Sequence, residues 1–317
     1  MVHGVMMRMR RGWRGRIALA LVLALALAGA ALAEEEAGDT LYSENEWNYV
    51  EASMDVSAGI PENAEGVLGD IREKGVLRVA TEPYFPPQEF VDPSREGQDQ
   101  YVGADMEMAR LIAERMGVTL EIVPMDFSVV LDSVANGECD LAISALSYTP
   151  GRAARMTLSK GYNFSGANAG SGLMIRAADS GVITGIESLA DRNIVAQSGS
   201  LQEALMAEYV YNYHEFRRLP TMQDVYHALA DGVADAAMVD IESGAAYVES
   251  NPEMGLAMVP GVQFALEEQF DGDRVAARKN ENQLIAFVNG VIDELLENGQ
   301  YRAWMEQYVA LANELGM

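Results

Sequence analysis

The chain has 317 residues and a formal charge of −26, from 22 basic and 48 acidic side chains. Such an acidic surface repels nucleic acid and anionic lipid, so neither is an expected partner. A single cysteine, Cys139, excludes an intramolecular disulfide, and three histidines without a cysteine cluster argue against a structural zinc site. We expect no metal and no cofactor.

The first 33 residues are typical of a secretory signal peptide. Met1–Arg16 carries five arginines and no acid, an apolar run extends from Ile17 to Ala28, and Ala31-Leu32-Ala33 precedes Glu34. A basic region, an apolar run and a small-x-small site in this order indicate a cleavable signal. The alternative is a membrane anchor, since the run nearly reaches the ~17 residues of a short membrane span. We expect cleavage near Ala33 and a periplasmic or otherwise extracytoplasmic location.

Residues 34–66 are predicted to form an acidic N-terminal extension. Glu34-Glu35-Glu36 is typical of a solvated linker. Tyr42, Trp47 and Tyr49, followed by Val50, suggest instead that the rest of the extension packs against the folded body. Both interpretations stay open for different parts of the segment.

From Val67 onward, short apolar strands alternate with amphipathic helices. The strands are predicted at Val76–Ala80, Thr119–Val123 and Asp140–Ala145, and the helices at Asp105–Met116, Asp126–Ala135, Leu284–Leu296 and Tyr301–Leu311. This order predicts an α/β fold with mostly parallel sheets that helices cover on both faces.

An internal repeat predicts two lobes of one architecture. Val134–Ile143 resembles Leu229–Met238: in each, a helix ends near a glycine and an aspartate precedes an apolar strand. The small residues that follow Phe164 suggest a hinge crossing, and a second crossing is expected near Gln269. We predict lobe 1 at 67–161 and 274–317, lobe 2 at 173–268, and hinge crossings at 162–172 and 269–273.

Enzyme signatures are absent from the sequence. It contains no Gly-x-Gly-x-x-Gly after a strand, no phosphate-binding loop and no Gly-x-Ser-x-Gly nucleophile elbow. His214 and His227 lie far apart, each on a predicted helix face, and are read as surface or core residues. The sequence therefore favours a binding protein over an enzyme.

The segment Ile143–Arg152 is the best candidate for a ligand site. It starts at the carboxyl end of a predicted strand, where open α/β sheets bind their ligands. Ser144 and Ser147 offer hydroxyls, and the guanidinium of Arg152 suits a carboxylate. Thr149-Pro150 is expected to cap and begin a short helix. From this segment alone, Arg152 could equally be a surface cation.

Several ordered segments resemble the periplasmic amino-acid-binding proteins of ABC importers, the polar-amino-acid group of extracellular solute-binding proteins, family 3. The resemblance covers roughly residues 70–310 and rests on Leu77–Phe90, Val102–Met106, Pro124–Phe127, Ser144–Arg152, Gly232–Asp240 and Glu297–Tyr301. It implies the type II periplasmic-binding-protein fold, in which a two-crossing hinge joins two lobes. It further implies a monomer that captures a polar amino acid and delivers it to a membrane permease.

The resemblance also implies roles for particular residues. Arg152 would bind the ligand carboxylate, supported by Ser144, Ser147 and backbone amides near Ala145. Asp240 would bind the ammonium group of the ligand. Phe85 and Phe127 would enclose the ligand side chain, and Glu82 would contact and recognise it. Lobe 2 would add Gln197 and the amides or hydroxyls of Ser198, Gly199 and Ser200. Glu82 stands where the family commonly has aspartate, and Gln197 where some members carry a charge.

A zwitterion needs one fixed cation and one fixed anion, and Arg152 and Asp240 lie on different copies of the repeat. A ligand that bridges them would favour the closed state, as in periplasmic binding proteins generally. Glu82 and the acidic chain favour a basic or amide side chain. Two alternatives remain: a dehydratase for prephenate-like acids that uses Glu203, and a periplasmic sensor subunit.

Overall fold

The computed structural model describes residues 49–164, 170–264 and 271–317. The predicted signal peptide, Tyr42 and Trp47 lie outside this range, as does part of each predicted hinge crossing. Within it, no helix is long and apolar enough to cross a membrane. The fold is the predicted α/β architecture, built on two five-stranded sheets.

The first sheet organises lobe 1. In spatial order its strands are β5 (Thr119–Pro124), β1 (Val76–Thr81), β6 (Leu141–Ser147), β13 (Asp273–Arg278) and β7 (Met156–Leu158). Strand β1 pairs in parallel with β5 and β6, whereas β13 runs antiparallel to β6 and β7. The sheet is therefore mixed, and its central strands β1 and β6 are largely buried.

The second sheet organises lobe 2 with the same pattern. Its strands are β10 (Glu215–Leu219), β9 (Asn193–Gln197), β11 (Ala236–Asp240), β8 (Ser171–Arg176) and β12 (Leu256–Met258). Strand β9 pairs in parallel with β10 and β11, and β8 runs antiparallel to β11 and β12. A small antiparallel sheet of β2 (Tyr84–Phe85), β3 (Glu89–Val91) and β4 (Tyr101–Val102) completes the strands of the described chain.

Helices cover both large sheets. They are α1 (Gly66–Lys74), α2 (Ala104–Met116), α3 (Phe127–Ala135), α4 (Pro150–Arg155), α5 (Leu201–Tyr209), α6 (Met222–Ala230), α7 (Ile241–Ser250), α8 (Asn282–Asn298) and α9 (Gln300–Leu315). The last two return to the lobe 1 core, where Leu284 and Phe287 are fully buried. The predicted helices and strands are thus confirmed, with boundaries shifted by a few residues.

The internal repeat is confirmed in atomic detail. Asp140 precedes β6, and its carboxylate accepts the backbone N–H of Arg78 on β1 at 2.8 Å. Asp235 precedes β11, and its carboxylate accepts the N–H of Asn193 on β9 at 2.9 Å. Each aspartate therefore ties the start of one strand to its parallel neighbour, which explains why the motif occurs twice.

The described part of the N-terminal extension packs on lobe 1. Val50 is fully buried, and its N–H donates to the carbonyl of Leu158 at the edge of the first sheet. Farther along, the amide of Asn289 on α8 donates to the carbonyls of Val50 and Ala52 at 2.7 and 2.8 Å. The packing interpretation is therefore confirmed from residue 49 onward.

Gly290 permits this close approach, so we expect Gly290→Ala to destabilise the protein. A β-carbon at Gly290 would overlap the backbone oxygen of Met54. Overpacking of this kind costs about 1–3 kcal/mol, partly offset by the ~1 kcal/mol that alanine gains over glycine within a helix. Urea unfolding should show a lower midpoint than in Gly181→Ala, because Gly181 has no atom within 4 Å of its added carbon. Equal midpoints for the two variants would contradict this account.

Candidate functional site

A cavity of about 730 Å³ lies between the lobes at the carboxyl ends of β1, β6, β9 and β11. Most predicted site residues line it: Glu82, Phe85, Phe127, Ser144, Ala145, Ser147, Arg152, Gln197, Ser200 and Asp240. Only Ser198 and Gly199 of the predicted set are not in its lining. The structure therefore brings together residues that lie far apart in the sequence.

Arg152 is a buried cation at the base of this cavity. As predicted, Thr149 caps α4 and Pro150 begins it, with the Thr149 hydroxyl accepting the Arg152 N–H at 3.1 Å. The guanidinium donates to the carbonyl of Ser147 at 2.6 Å and, across the cleft, to the carbonyl of Gly199 at 3.1 Å. Burial lowers the pKa of Arg152 to about 10, so the group stays charged at neutral pH. Arg152 is therefore not a solvated surface cation, and unused N–H groups of its five can serve a carboxylate.

Asp240 faces the same cavity from lobe 2. It ends β11 and caps α7, where its Oδ1 accepts the Ser243 N–H at 2.9 Å. Burial raises the pKa of Asp240, and the hydrogen bonds from Ser243 partly counter that effect. A positive group in the cavity would stabilise its ionised form.

Glu82 supplies a second buried acid, at the carboxyl end of β1. Its side chain is 1% exposed, and its Oε1 accepts no hydrogen bond within the described chain. Burial raises the pKa of Glu82 to about 8, while a hydrogen bond from Gln197 of lobe 2 acts in the opposite direction. A buried carboxylate without a full set of donors suits a ligand that brings its own cationic donors.

The two predicted aromatic walls both line the cavity. Phe127 lies under Arg152, with the guanidinium carbon 5.3 Å from its ring centroid. Phe85 packs against the lobe 2 cluster that contains Met222 and Tyr226. The rings thus approach the cavity from lobe 1, and Phe85 also contacts lobe 2.

The backbone amides that the resemblance assigned to the ligand are occupied within the chain. The Ala145 N–H donates to Asp105 at 3.0 Å. In lobe 2, the amides of Ser198, Gly199 and Ser200 donate to Leu219 O, Glu203 Oε2 and Gln197 O. Their role in ligand binding stays a prediction; in this structure, Gly199 instead offers its carbonyl to Arg152.

Asp105 is a buried support that the sequence analysis did not recognise. It is fully buried on α2, where it accepts the Ala145 N–H and the hydroxyls of Tyr162 and Tyr301 at 3.0, 3.0 and 2.8 Å. Ala145 has a left-handed φ of 44°, which costs energy in a residue with a β-carbon. The hydrogen bond that Asp105 accepts from Ala145 therefore holds a strained turn in the wall of the cavity.

Glu89 and Asp273 also line the cavity without having been predicted. The Ser144 hydroxyl donates to Glu89 at 3.0 Å, and burial raises the pKa of Glu89 well above its usual value. Asp273 is the last residue of the second predicted crossing, 269–273, in which Asp271 and Asp273 flank Gly272. Two acids in so short a segment were the available signal in the sequence that this crossing contributes to the site.

Glu203, the residue on which the dehydratase alternative rests, lies outside the cavity lining. Its two carboxylate oxygens accept the Gly199 N–H at 2.7 Å and the Arg218 Nε–H at 2.6 Å. Both oxygens are therefore occupied by the chain itself. This arrangement suits a structural brace rather than a proton-transfer group.

Comparison with known proteins assigns the family. The sequence model of the bacterial extracellular solute-binding proteins, family 3, matches residues 77–310. The chain belongs to this family. That assignment confirms the resemblance inferred from the ordered motifs.

Individual relatives agree with the family. The chain is similar to an amino acid ABC transporter substrate-binding protein, AbpA, from Streptococcus pneumoniae, solved with L-arginine: 32% identity, TM-score 0.67, covering 76% of this chain and 97% of that one. It is 26% identical to the arginine-binding extracellular protein ArtP of Bacillus subtilis, over 72% of this chain and 83% of the relative. It is 25% identical to the L-cystine-binding protein TcyJ of Escherichia coli, over 77% and 86%. The two-lobed fold of the solute-binding protein is thereby established.

Proposed function

We propose that this solute-binding protein captures an α-amino acid with a cationic side chain and delivers it to the permease of an ABC importer. The main observation that supports this proposal is the arrangement of charges in the cavity. Arg152 of lobe 1 and Asp240 of lobe 2 present opposite charges to one space, as a zwitterion requires. Export by the predicted signal peptide would place the protein where such capture is useful.

The acidic lining supports a cationic side chain. Glu82, Glu89, Asp240 and Asp273 line the cavity together with Arg152. An anionic side chain would be repelled by these acids when they are ionised, whereas a guanidinium or ammonium would stabilise their ionised forms. The arginine-binding relatives support the same choice.

The lobes also have the contacts that closure requires. Arg152 of lobe 1 reaches Gly199 of lobe 2, and the Ser250 hydroxyl of lobe 2 donates to Asn313 of α9 at 2.9 Å. A ligand held by Arg152 and Asp240 at once would add to these contacts only when the lobes are together. Ligand occupancy therefore changes the shape that a permease meets.

A thermal-shift screen tests the proposal. The purified mature protein is heated with each of the twenty amino acids, with opines and with small amines. We expect L-arginine and L-lysine to raise the melting temperature most, because a ligand far above its Kd stabilises the folded state by mass action. L-glutamate and L-aspartate should have no effect. A shift with acidic but not basic amino acids would contradict the proposal, and turnover of prephenate or arogenate would replace it with the dehydratase.

A further inference from the structure

Asp273 lies where the second predicted crossing enters lobe 1. As the first residue of β13, it pairs with Ser147 on β6, and it exchanges two backbone hydrogen bonds with Tyr162 of the first crossing, at 2.7 and 3.0 Å. Ser147 and Asp273 both line the cavity. Asp273 therefore lies next to Ser147, the residue whose carbonyl anchors Arg152.

One oxygen of Asp273 is available to a ligand. Its Oδ2 accepts the Asn163 side-chain amide at 2.8 Å. Among residues 49–164, 170–264 and 271–317, no hydrogen bond reaches Oδ1 and no cation comes within salt-bridge distance of the carboxylate. Asn163 thus orients the group and leaves one oxygen without a donor.

The charges around Asp273 come from both lobes. Burial raises the pKa of Asp273 to about 8, and repulsion from Asp105 and, across the cleft, from Asp240 adds to that effect. The Asp273 charge in turn raises the pKa of Arg152 against the effect of burial. Asp273 therefore lies close enough to both members of the proposed zwitterion site to interact with each.

The geometry of an α-amino acid connects these observations. Its ammonium nitrogen is separated from its carboxylate carbon by a single carbon atom. A ligand whose carboxylate binds Arg152 therefore brings its ammonium near the acids that surround Arg152. An ammonium has three N–H donors, and Asp240 alone has one oxygen already engaged by Ser243.

We propose that Asp273 is a second partner for the ligand's α-ammonium, which it shares with Asp240; this role rests on the proposed function. The ammonium then lies between one acid on lobe 2 and one at the hinge. Without a ligand the two carboxylates repel each other whenever both are ionised, and this repulsion opposes closure. With a ligand the same pair draws the lobes together.

Isothermal titration with two matched ligands tests this role. L-Arginine and δ-guanidinovalerate are the same molecule with and without the α-amino group. In Asp273→Asn we expect the affinity for L-arginine to fall about 10- to 100-fold, as for loss of a charge-assisted hydrogen bond. The affinity for δ-guanidinovalerate should stay within about threefold of wild type, since a change of that size is well below one such bond. Asp271→Asn, which alters the other acid of the same crossing, should leave both affinities unchanged.

The outcomes separate this role from the proposed function. If the wild type binds neither ligand, the proposed function fails. If the wild type binds L-arginine and Asp273→Asn lowers both affinities equally, or neither, only the role of Asp273 fails. Asp273→Ser provides a second variant should the asparagine protein unfold, and the same ratio of affinities is expected from it.

Small-angle scattering of the unliganded proteins gives an independent readout. Above pH 8, where Asp273 is ionised, removing one of two repelling carboxylates should favour closure, so Asp273→Asn should then have a smaller radius of gyration than the wild type. Asp271→Asn should not. A larger radius in Asp273→Asn would overturn the assignment.

Discussion

Arg152→Ala is expected to weaken the binding of L-arginine by at least about 30-fold while leaving the unliganded protein folded. The ligand carboxylate would lose its only proposed cationic partner inside a closed cavity. Removing one member of a buried, hydrogen-bonded charge pair costs about 2–5 kcal/mol, or roughly 30- to 4,000-fold in affinity. The protein itself loses two hydrogen bonds to carbonyls, at Ser147 and Gly199, which the solvated cleft can replace with water.

Two controls make this prediction specific. Arg155→Ala removes a half-exposed arginine of the same helix, one that pairs with Asp132 on α3. This variant should bind L-arginine as the wild type does. Agmatine, which is arginine without its carboxylate, should bind Arg152→Ala at least as well as it binds the wild type. If Arg152→Ala binds L-arginine with the affinity of the wild type, another residue must bind the ligand carboxylate.

Asp240→Ala is the counterpart on lobe 2. It should weaken the binding of L-arginine by a similar amount and leave the binding of δ-guanidinovalerate unchanged, because that ligand has no α-ammonium group. Asp231→Ala, at the exposed end of α6, is its matched control. Retained thermal shifts in both Arg152→Ala and Asp240→Ala would refute the site.

Much of the fold was predictable because its local signals agree with one another. The aspartate before each repeat strand bonds to the backbone of the neighbouring strand, so its presence in both copies reflects a structural need. Thr149 and Pro150 begin α4 for equally local reasons. Arg152, the third residue of that helix, was thereby placed near the carboxyl end of β6.

The amide assignments were less secure because hydrogen-bond partners depend on distant residues. Whether the Ala145 N–H faces a ligand or the chain depends on Asp105, which lies on another helix. In the same way, the Gly199 N–H donates to the carboxylate of Glu203, which lies in the first turn of the following helix, α5. Asp273 lies at the end of a predicted crossing in the sequence, but its place in the cavity lining depends on the folded structure, in which β13 pairs with β6.

Binding of L-arginine is expected to strengthen with rising pH until about pH 8, because Glu82 must lose a proton to meet the cationic side chain. Burial holds the pKa of Glu82 near 8 in the unliganded protein, and the charges of Asp126 and Asp224 add to that effect. Below that pH the carboxyl is mostly neutral, and each bound cation must displace its proton. The contribution of Glu82 to the affinity should therefore rise by up to about tenfold per pH unit and level off above pH 8.

Glu82→Gln isolates this effect, since Asp273 also has a pKa near 8 and titrates over the same range. Titrations at pH 7 in buffers of different ionisation enthalpy should show about one proton fewer released per L-arginine in Glu82→Gln than in the wild type. The variant should also bind L-arginine at least tenfold more weakly at pH 8, where it lacks the carboxylate, and lose most of that difference near pH 6. The unliganded stability should change in the opposite sense: a carboxyl whose pKa is raised by folding destabilises the folded state as pH rises from about 4.5 to 8, so Glu82→Gln should lose less stability over that interval. Equal proton release by the two proteins would mean that the ligand's cation does not reach Glu82.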